Sequence, residues 1–390
     1  MKRAFWIWAL ICILIAIFYL YQVSFKEKLP ELEAFKSSPT IRILLKSNSS
    51  SVAIDTPSGS CEVWVDNAER PYKLKCKTFN ASIEDGYFFF AGIRHEEKIK
   101  YLDIKTKDQV FNYLGGEFKG KLRLSITNNG LIASILHMPL EPYIARVLDA
   151  EIHSSWAMET LKAQAVAARS YALFHMEHHR QRSYDLFGTS RSQAFKKIEP
   201  SYRSKKATLE TYGLVMEFSG KLFPAYYIST CGGETNKIVY RDTLIKGVKC
   251  SFCKNSPYFN WEYKVKLKRL EEIFAKWFSP NYKIHKLRII ISKGNRYVRF
   301  TNKKSKAFDL PLSIFRKQIN KVFNREIIKS MRFNIKLDND ELTIRGNGWG
   351  YHGRGMCQYG AKTLGEKLYT YEEIIKYYYP GVKIVFSHHE

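Results

Sequence analysis

The chain has 390 residues and a mass of 45.6 kDa, enough for a large core or for two to three average domains. With 45% apolar and 26% charged residues it is neither disordered nor collagen-like, nor a protein that crosses a membrane many times. Its 63 Lys and Arg face 37 Asp and Glu, and the net +26 asks for an anionic partner class: nucleic acid, a phospholipid surface or an acidic polymer of the cell envelope.

Lys2 and Arg3 precede an uninterrupted apolar run from Ala4 to Tyr21. At about 1.5 Å per residue this run nearly spans a hydrocarbon core of ~30 Å, with Trp6, Tyr19 and Tyr21 placed near its edges. No small-x-small cleavage site follows, so residues 1–25 read as an uncleaved transmembrane signal anchor with its basic end in the cytoplasm. The alternative is a long, cleaved signal peptide. Both readings export the remainder, which places the protein in the cell envelope on a single-pass inner-membrane anchor and argues against nucleic acid as the partner.

Residues 26–40 form a polar, Pro-containing linker. Short alternating runs follow at 41–45, 61–65, 72–76, 86–90 and 122–126, separated by turn clusters such as Ser47–Ser50 and Asn128-Asn129-Gly130, and predict an antiparallel β region. Thr160–Met176 is Ala-rich and free of Gly and Pro, with Leu161, Ala165, Ala168 and Ala172 at helical spacing, and predicts a helix. Residues 262–330 are Lys-rich and mixed in pattern, with helices expected at Leu270–Phe278 and Leu312–Phe323, and read as a basic insertion or subdomain. A Gly-rich loop, Gly346–Gly360, leads into a helix running through Tyr379. The fold class is α+β: an N-terminal anchor helix, an antiparallel β-rich region with a central Ala-rich helix forming a groove, and a basic α/β insertion.

Three stretches carry most of the information. The first runs Leu140-Glu141-Pro142-Tyr143-Ile144-Ala145-Arg146-Val147-Leu148-Asp149-Ala150-Glu151-Ile152 and continues through Trp156 into Leu161-Lys162-Ala163-Gln164-Ala165-Val166-Ala167-Ala168-Arg169-Ser170-Tyr171. The second is Ser229-Thr230-Cys231-Gly232-Gly233-Glu234-Thr235, and the third Gly348-Trp349-Gly350-Tyr351-His352-Gly353-Arg354-Gly355-Met356-Cys357-Gln358-Tyr359-Gly360-Ala361. In kind and order they closely resemble the SpoIID/LytB family of sporulation and cell-division proteins, over a region of 41–261 and 331–386. The resemblance implies a peptidoglycan lytic transglycosylase that cleaves the MurNAc–GlcNAc bond of glycan strands already stripped of peptides by a cell-wall amidase. It leaves 1,6-anhydroMurNAc ends. Some relatives are described as amidase enhancers, so the alternative is a non-enzymatic glycan-binding protein that stimulates an amidase. A basic membrane-surface scaffold would explain the charge but not the three motifs. The chain departs from the family pattern at His153 and Ala157, where Pro is frequent, and in the extra Tyr351 ahead of His352. Its loop Tyr184–Phe195 lacks the Cys and His that ligate zinc in some relatives.

Glu151 matches the family's catalytic glutamate. An ordinary glycosidase needs two carboxyl groups, whereas a lytic transglycosylase uses the muramic acid's own 6-hydroxyl as nucleophile, so one glutamate serves as acid and then base. Without the resemblance, Glu151 reads instead as a helix-flanking carboxylate complementing a helix dipole. Lys162 and Arg169 lie seven apart, on nearly one side of the helix. On spacing alone they are a solvated face; as family-motif positions they are expected to anchor the free lactyl carboxylate of a denuded strand. Around the Gly-rich loop, Trp349 and Tyr359 offer faces for sugar rings, and His352 and Gln358 offer hydrogen bonds to hydroxyl or N-acetyl groups. Tyr227 reads as cleft lining or strand core.

The chemistry requires no cofactor. Cys61 and Cys76 end neighbouring strand-like runs and are candidates to pair. Cys250 and Cys253 have C-x-x-C spacing and, with Cys231 and Cys357 from the motifs, offer four thiolates for a structural zinc. A disulfide or redox pair is the rival reading.

Overall fold

The computed structural model describes residues 38–278 and 282–387. The expected anchor at 1–25, and all but the end of the linker, lie outside the described residues; no helix among the described ones is long and apolar enough to cross a membrane.

The alternating runs build two sheets. One has seven strands in the order Leu186–Phe187, Thr40–Ser49, Ile132–Pro139, Lys121–Ile126, Tyr101–Thr106, Ser60–Val65, Tyr72–Lys75, antiparallel throughout except for the short Leu186–Phe187 edge. The other has six, Gly116–Lys119, Val110–Tyr113, Ser51–Asp55, Thr78–Glu84, Tyr87–Phe90 and Ile93–Arg94. Period-two burial is strict at Ser51–Asp55, where Val52 and Ile54 point in and their neighbours out. The inward residues of both sheets share one core, with Ile41, Ile43, Leu122 and Leu124 meeting Ile54, Phe79, Phe88 and Phe111.

Seven α-helices are found among the described residues: α1 (Leu140–Glu151), α2 (Met158–His178), α3 (Tyr202–Glu210), α4 (Leu267–Phe274), α5 (Leu312–Val322), α6 (Gln358–Glu366) and α7 (Tyr371–Tyr378). The Ala-rich helix is the axle. Leu161, Ala165, Ala168 and Ala172 of α2 join the β-sheet core, while Ala163, Val166 and Ala167 join a second core with Phe223, Cys357, Ile375 and Tyr379. Small side chains on both faces let neighbouring elements approach closely, which a helix of larger residues would forbid. A helix buried on both sides cannot be strongly amphipathic, and this one is not.

A third core spans Trp261, Leu270, Phe274, Phe300, Phe315, Phe333, Leu342 and Ile344. Its edges therefore run past the expected 262–330: strand Asn260–Lys266 pairs with Glu341–Asn347, which pairs with Phe333–Asp338. The helix expected at 270–278 ends at Phe274 and continues only as a 3-10 turn. The C-terminal helix expected to run unbroken is two. Leu368 turns at φ +65° after α6, and a capping box of Thr370 and Glu373 starts α7.

Candidate active site

Glu151 is the last residue of α1, not a residue of the link ahead of α2. At a helix C-terminus the dipole disfavours negative charge, so the dipole-complement reading fails, and the last turn holds no basic residue to offset it. The Ala194 N–H donates to Glu151 Oε1 at 2.5 Å, and the Gln358 carboxamide, whose nitrogen also donates to Gln164 at 3.4 Å, acts on the same carboxyl group to favour its charged form. Burial outweighs both bonds and lifts the Glu151 carboxyl above its ordinary range. Among the described residues, no second carboxylate and no cation act on its charge. Two other acids of α1 are committed elsewhere. Asp149 takes the Ser201 N–H at 2.6 Å and the Ser201 hydroxyl at 2.9 Å, fixing the start of α3, and Glu141 pairs with Arg169.

Three phenols and a second carboxamide surround the site. Gln193 donates to the Tyr227 hydroxyl at 2.9 Å and to the Ala168 carbonyl at 3.2 Å, and accepts from the Tyr143 hydroxyl at 3.0 Å. Burial, and then the Glu151 charge, push the Tyr227 phenol well above its usual range; burial likewise lifts Tyr171 to about 12, with Glu151 a smaller contributor. Sequence reasoning missed Tyr143, Tyr171, Gln193 and Ala194. Gln193 and Ala194 come from an irregular loop whose composition carries no periodic signal.

The second and third motifs lie side by side. Tyr227–Ile228 pairs in parallel with Met356–Cys357, and Thr230 and Trp349 exchange backbone hydrogen bonds at 3.1 and 2.8 Å. The pairing brings Tyr227 and Gln358 to Glu151 together. Gly355 is required there: its φ is +73°, and a Cβ would come 1.7 Å from the Tyr226 carbonyl oxygen. The extra residue Tyr351 turns out to solvent, 60% exposed. His352 stays half-buried, its ring 5.5 Å from that of Tyr226, with burial and Arg354 pulling it down to about 4, so it is neutral near pH 7. Its Nδ1 accepts from the Arg354 N–H at 3.0 Å.

A row of aromatic rings continues from Gln358, with Trp156 buried and Tyr359, Tyr258 and Trp349 half-buried. Tyr359 meets Trp156 at 5.2 Å and Tyr258 at 6.0 Å; Tyr258 meets Trp349 edge-on at 4.2 Å, and the Lys329 ammonium stands 5.6 Å from the Trp349 ring. Trp349 Nε1 donates to Glu326 at 2.7 Å. Lys329 and Glu326 belong to the basic insertion.

The two expected anchoring cations are not part of this group. Arg169 is 1% exposed, and its guanidinium grips Glu141 at 2.8 and 2.7 Å and the carbonyls of Leu214 and Thr208. It ties α2 to α1, to α3 and to the segment after α3. Lys162 is held between Glu159 at 3.0 Å and Glu210 at 2.7 Å, joining α2 to α3. Spacing put both on one side of the helix; tertiary packing turned Arg169 to the interior.

Cys231, Cys250, Cys253 and Cys357 are buried free thiols whose sulfurs all lie within 4.8 Å of one another. Tetrahedral zinc with Zn–S of about 2.3 Å sets its sulfurs about 3.8 Å apart. The four residues fit that donor set, with Cys231 and Cys253 Sγ at 3.5 Å. The Cys61 and Cys76 thiols are 3.7 Å apart.

Residues 128–218 match the family described as SpoIID, stage II sporulation protein. The chain is 31% identical over 284 residues to a protein of Brachyspira hyodysenteriae described as uncharacterized, covering 70% of this chain and 74% of the relative. It is 26% identical over 282 residues to stage II sporulation protein D of Bacillus subtilis, covering 64% of this chain and 76% of that one. To the amidase enhancer of Bacillus subtilis it is 24% identical over 286 residues, 61% of this chain but only 39% of that longer protein. The chain belongs to the SpoIID family.

Proposed function

We propose that the protein is a lytic transglycosylase of peptidoglycan acting on peptide-stripped glycan strands outside the cytoplasm. The observation that carries this reading is the setting of Glu151: a half-buried carboxyl at the end of α1, held by the Ala194 N–H and lifted by burial above its ordinary range, with no second carboxylate acting on it among the described residues. Protonated Glu151 donates to the glycosidic oxygen as the bond to C1 of the muramic acid breaks, so the departing glucosamine leaves with a 4-hydroxyl. The carboxylate so formed takes the proton from the muramic acid 6-hydroxyl as that oxygen closes on C1. The acid is regenerated, no water is consumed, and the new end is a 1,6-anhydro sugar. A raised carboxyl serves the first step; the Ala194 N–H and the Gln358 amide steady the charge between the two.

The rings of Trp349, Tyr258 and Tyr359 suit the apolar faces of sugars. Lys329, beside them, takes over the role expected of Lys162 and Arg169 and would meet the lactyl carboxylate that amidase action uncovers. The basic insertion then contributes to substrate choice as well as to net charge.

The test digests denuded sacculi with the full chain and with Glu151→Gln, reading products by mass spectrometry. Anhydro-muramic products that vanish in the variant support the reading. Intact strands, together with faster turnover by an added amidase, support instead an enhancer, the role named for the Bacillus subtilis relative.

A further inference from the structure

Three separate pieces of chain bring the thiols together. Cys231 follows the Tyr227–Ile228 strand, Cys357 ends the strand paired with it, and Cys250 and Cys253 come from one turn 22 residues or fewer beyond Cys231. All four are 3% exposed or less. Two disulfides would need only two pairs, with no reason for the pairs to meet; here every sulfur is near every other. The surroundings suit thiolates. The Cys231 N–H donates to Cys357 Sγ at 3.2 Å, and the Tyr378 hydroxyl lies 3.2 Å from Cys250 Sγ. Gly360 leaves the room: a Cβ there would stand 2.8 Å from Cys250 Sγ and 2.0 Å from the Tyr378 hydroxyl.

We propose that Cys231, Cys250, Cys253 and Cys357 hold one structural zinc ion that clamps the two glycine-rich motifs together and thereby sets Gln358, the residue after Cys357, against Glu151. Four protein thiolates fill a tetrahedral shell and leave no open position, so the ion stabilises and does not react. Binding free energy in such a site is folding free energy, here spent on the junction of three chain segments. The positioning of Gln358 rests on the catalytic reading of Glu151; the metal site does not.

The full chain, purified without chelator, should retain about one zinc per molecule, released in step with titration of its thiols by an organic mercurial. Cobalt exchanged into the site should give the visible bands of a tetrahedral tetrathiolate. Cys253→Ser should lose both signals and melt at lower temperature, whereas Cys61→Ser should keep them. If Cys253→Ser does not accumulate, mercurial release from the unaltered chain decides. A metal-free protein that binds no cobalt, or one whose denatured form lacks four titratable thiols, would overturn the site. Metal-loaded protein yielding no anhydro products would instead fail the catalytic reading alone, and active protein with no metal would fail only the clamp.

Discussion

At the first turn of α1, Glu141 is 3% exposed and takes both nitrogens of the Arg169 fork; at the last turn, Glu151 meets one backbone N–H, one carboxamide and three phenols. The same side chain serves opposite ends. A buried carboxylate beside a buried guanidinium is neutralised in place and serves the fold, because separating the pair leaves an unpaired charge in a low dielectric. A buried carboxyl with no cation beside it holds its proton instead, and can give it away. The company of the side chain, rather than its type or its helix, divides scaffold from chemistry.

The contrast breaks most sharply at Glu151→Gln. Cleavage of denuded strands should fall about 100- to 10,000-fold, the range for losing a general acid–base group. Stability should move the other way. Because the folded carboxyl holds its proton more tightly than the unfolded one, its contribution is favourable in acid and is lost as pH rises from the ordinary carboxylate range through the raised folded value. Melting curves should therefore show the variant at least as stable as the unaltered chain at neutral pH, with that relative gain disappearing in acid.

Arg169→Met should do the reverse. It strands Glu141 without a partner, and denaturant unfolding should show a loss of about 3–5 kcal/mol. Glu141→Leu combined with Arg169→Met should recover much of it, since no buried charge is then left alone. An anchoring role for Arg169 would instead show as a raised KM in a protein of unchanged stability.

Gln358→Leu sharpens the comparison at the active end. Removing a donor that favours the charged form should lift the Glu151 carboxyl further, so the alkaline limb of the pH–rate profile moves to higher pH while the rate at the optimum falls. An unmoved limb would mean that the carboxamide does not act on the carboxyl. Lys162→Ala should be the mildest change: its ion pairs with Glu159 and Glu210 are partly exposed and together worth less than about 1 kcal/mol, with KM for denuded strands unaffected. Lys329→Ala, by contrast, should raise that KM, and peptide-bearing strands should show no matching change.

Much of this was legible in the chain. Alternation located the strands at 41–45, 61–65 and 122–126, and an Ala-rich stretch without Gly or Pro located α2 to within two residues at each end. The resemblance singled out Glu151, and its motifs contain Gln358, Cys231 and Cys357; C-x-x-C spacing added Cys250 and Cys253, while Gln358 was expected to meet the sugar and not Glu151. Periodicity failed where an element is covered all round. Seven-residue spacing puts Lys162 and Arg169 on one side of α2, but α2 is packed between two cores, and only the fold decides that Arg169 lies inside. Nor does any local pattern announce that the 193–194 loop returns to Glu151, or that the basic insertion lends Lys329 to the aromatic row. Such contacts belong to the tertiary structure, where neighbours in space are far apart along the chain.

The most direct measurement is to run the cleavage of denuded strands in water enriched in heavy oxygen and weigh the new muramic acid ends. If Glu151 works alone, passing a proton to the leaving sugar and taking one from the 6-hydroxyl, those ends carry no solvent oxygen and are lighter than a hydrolysed end by one water. Heavy oxygen at C1 would contradict it, because an activated water, and a second group to activate it, would then have done the work assigned here to a single carboxyl.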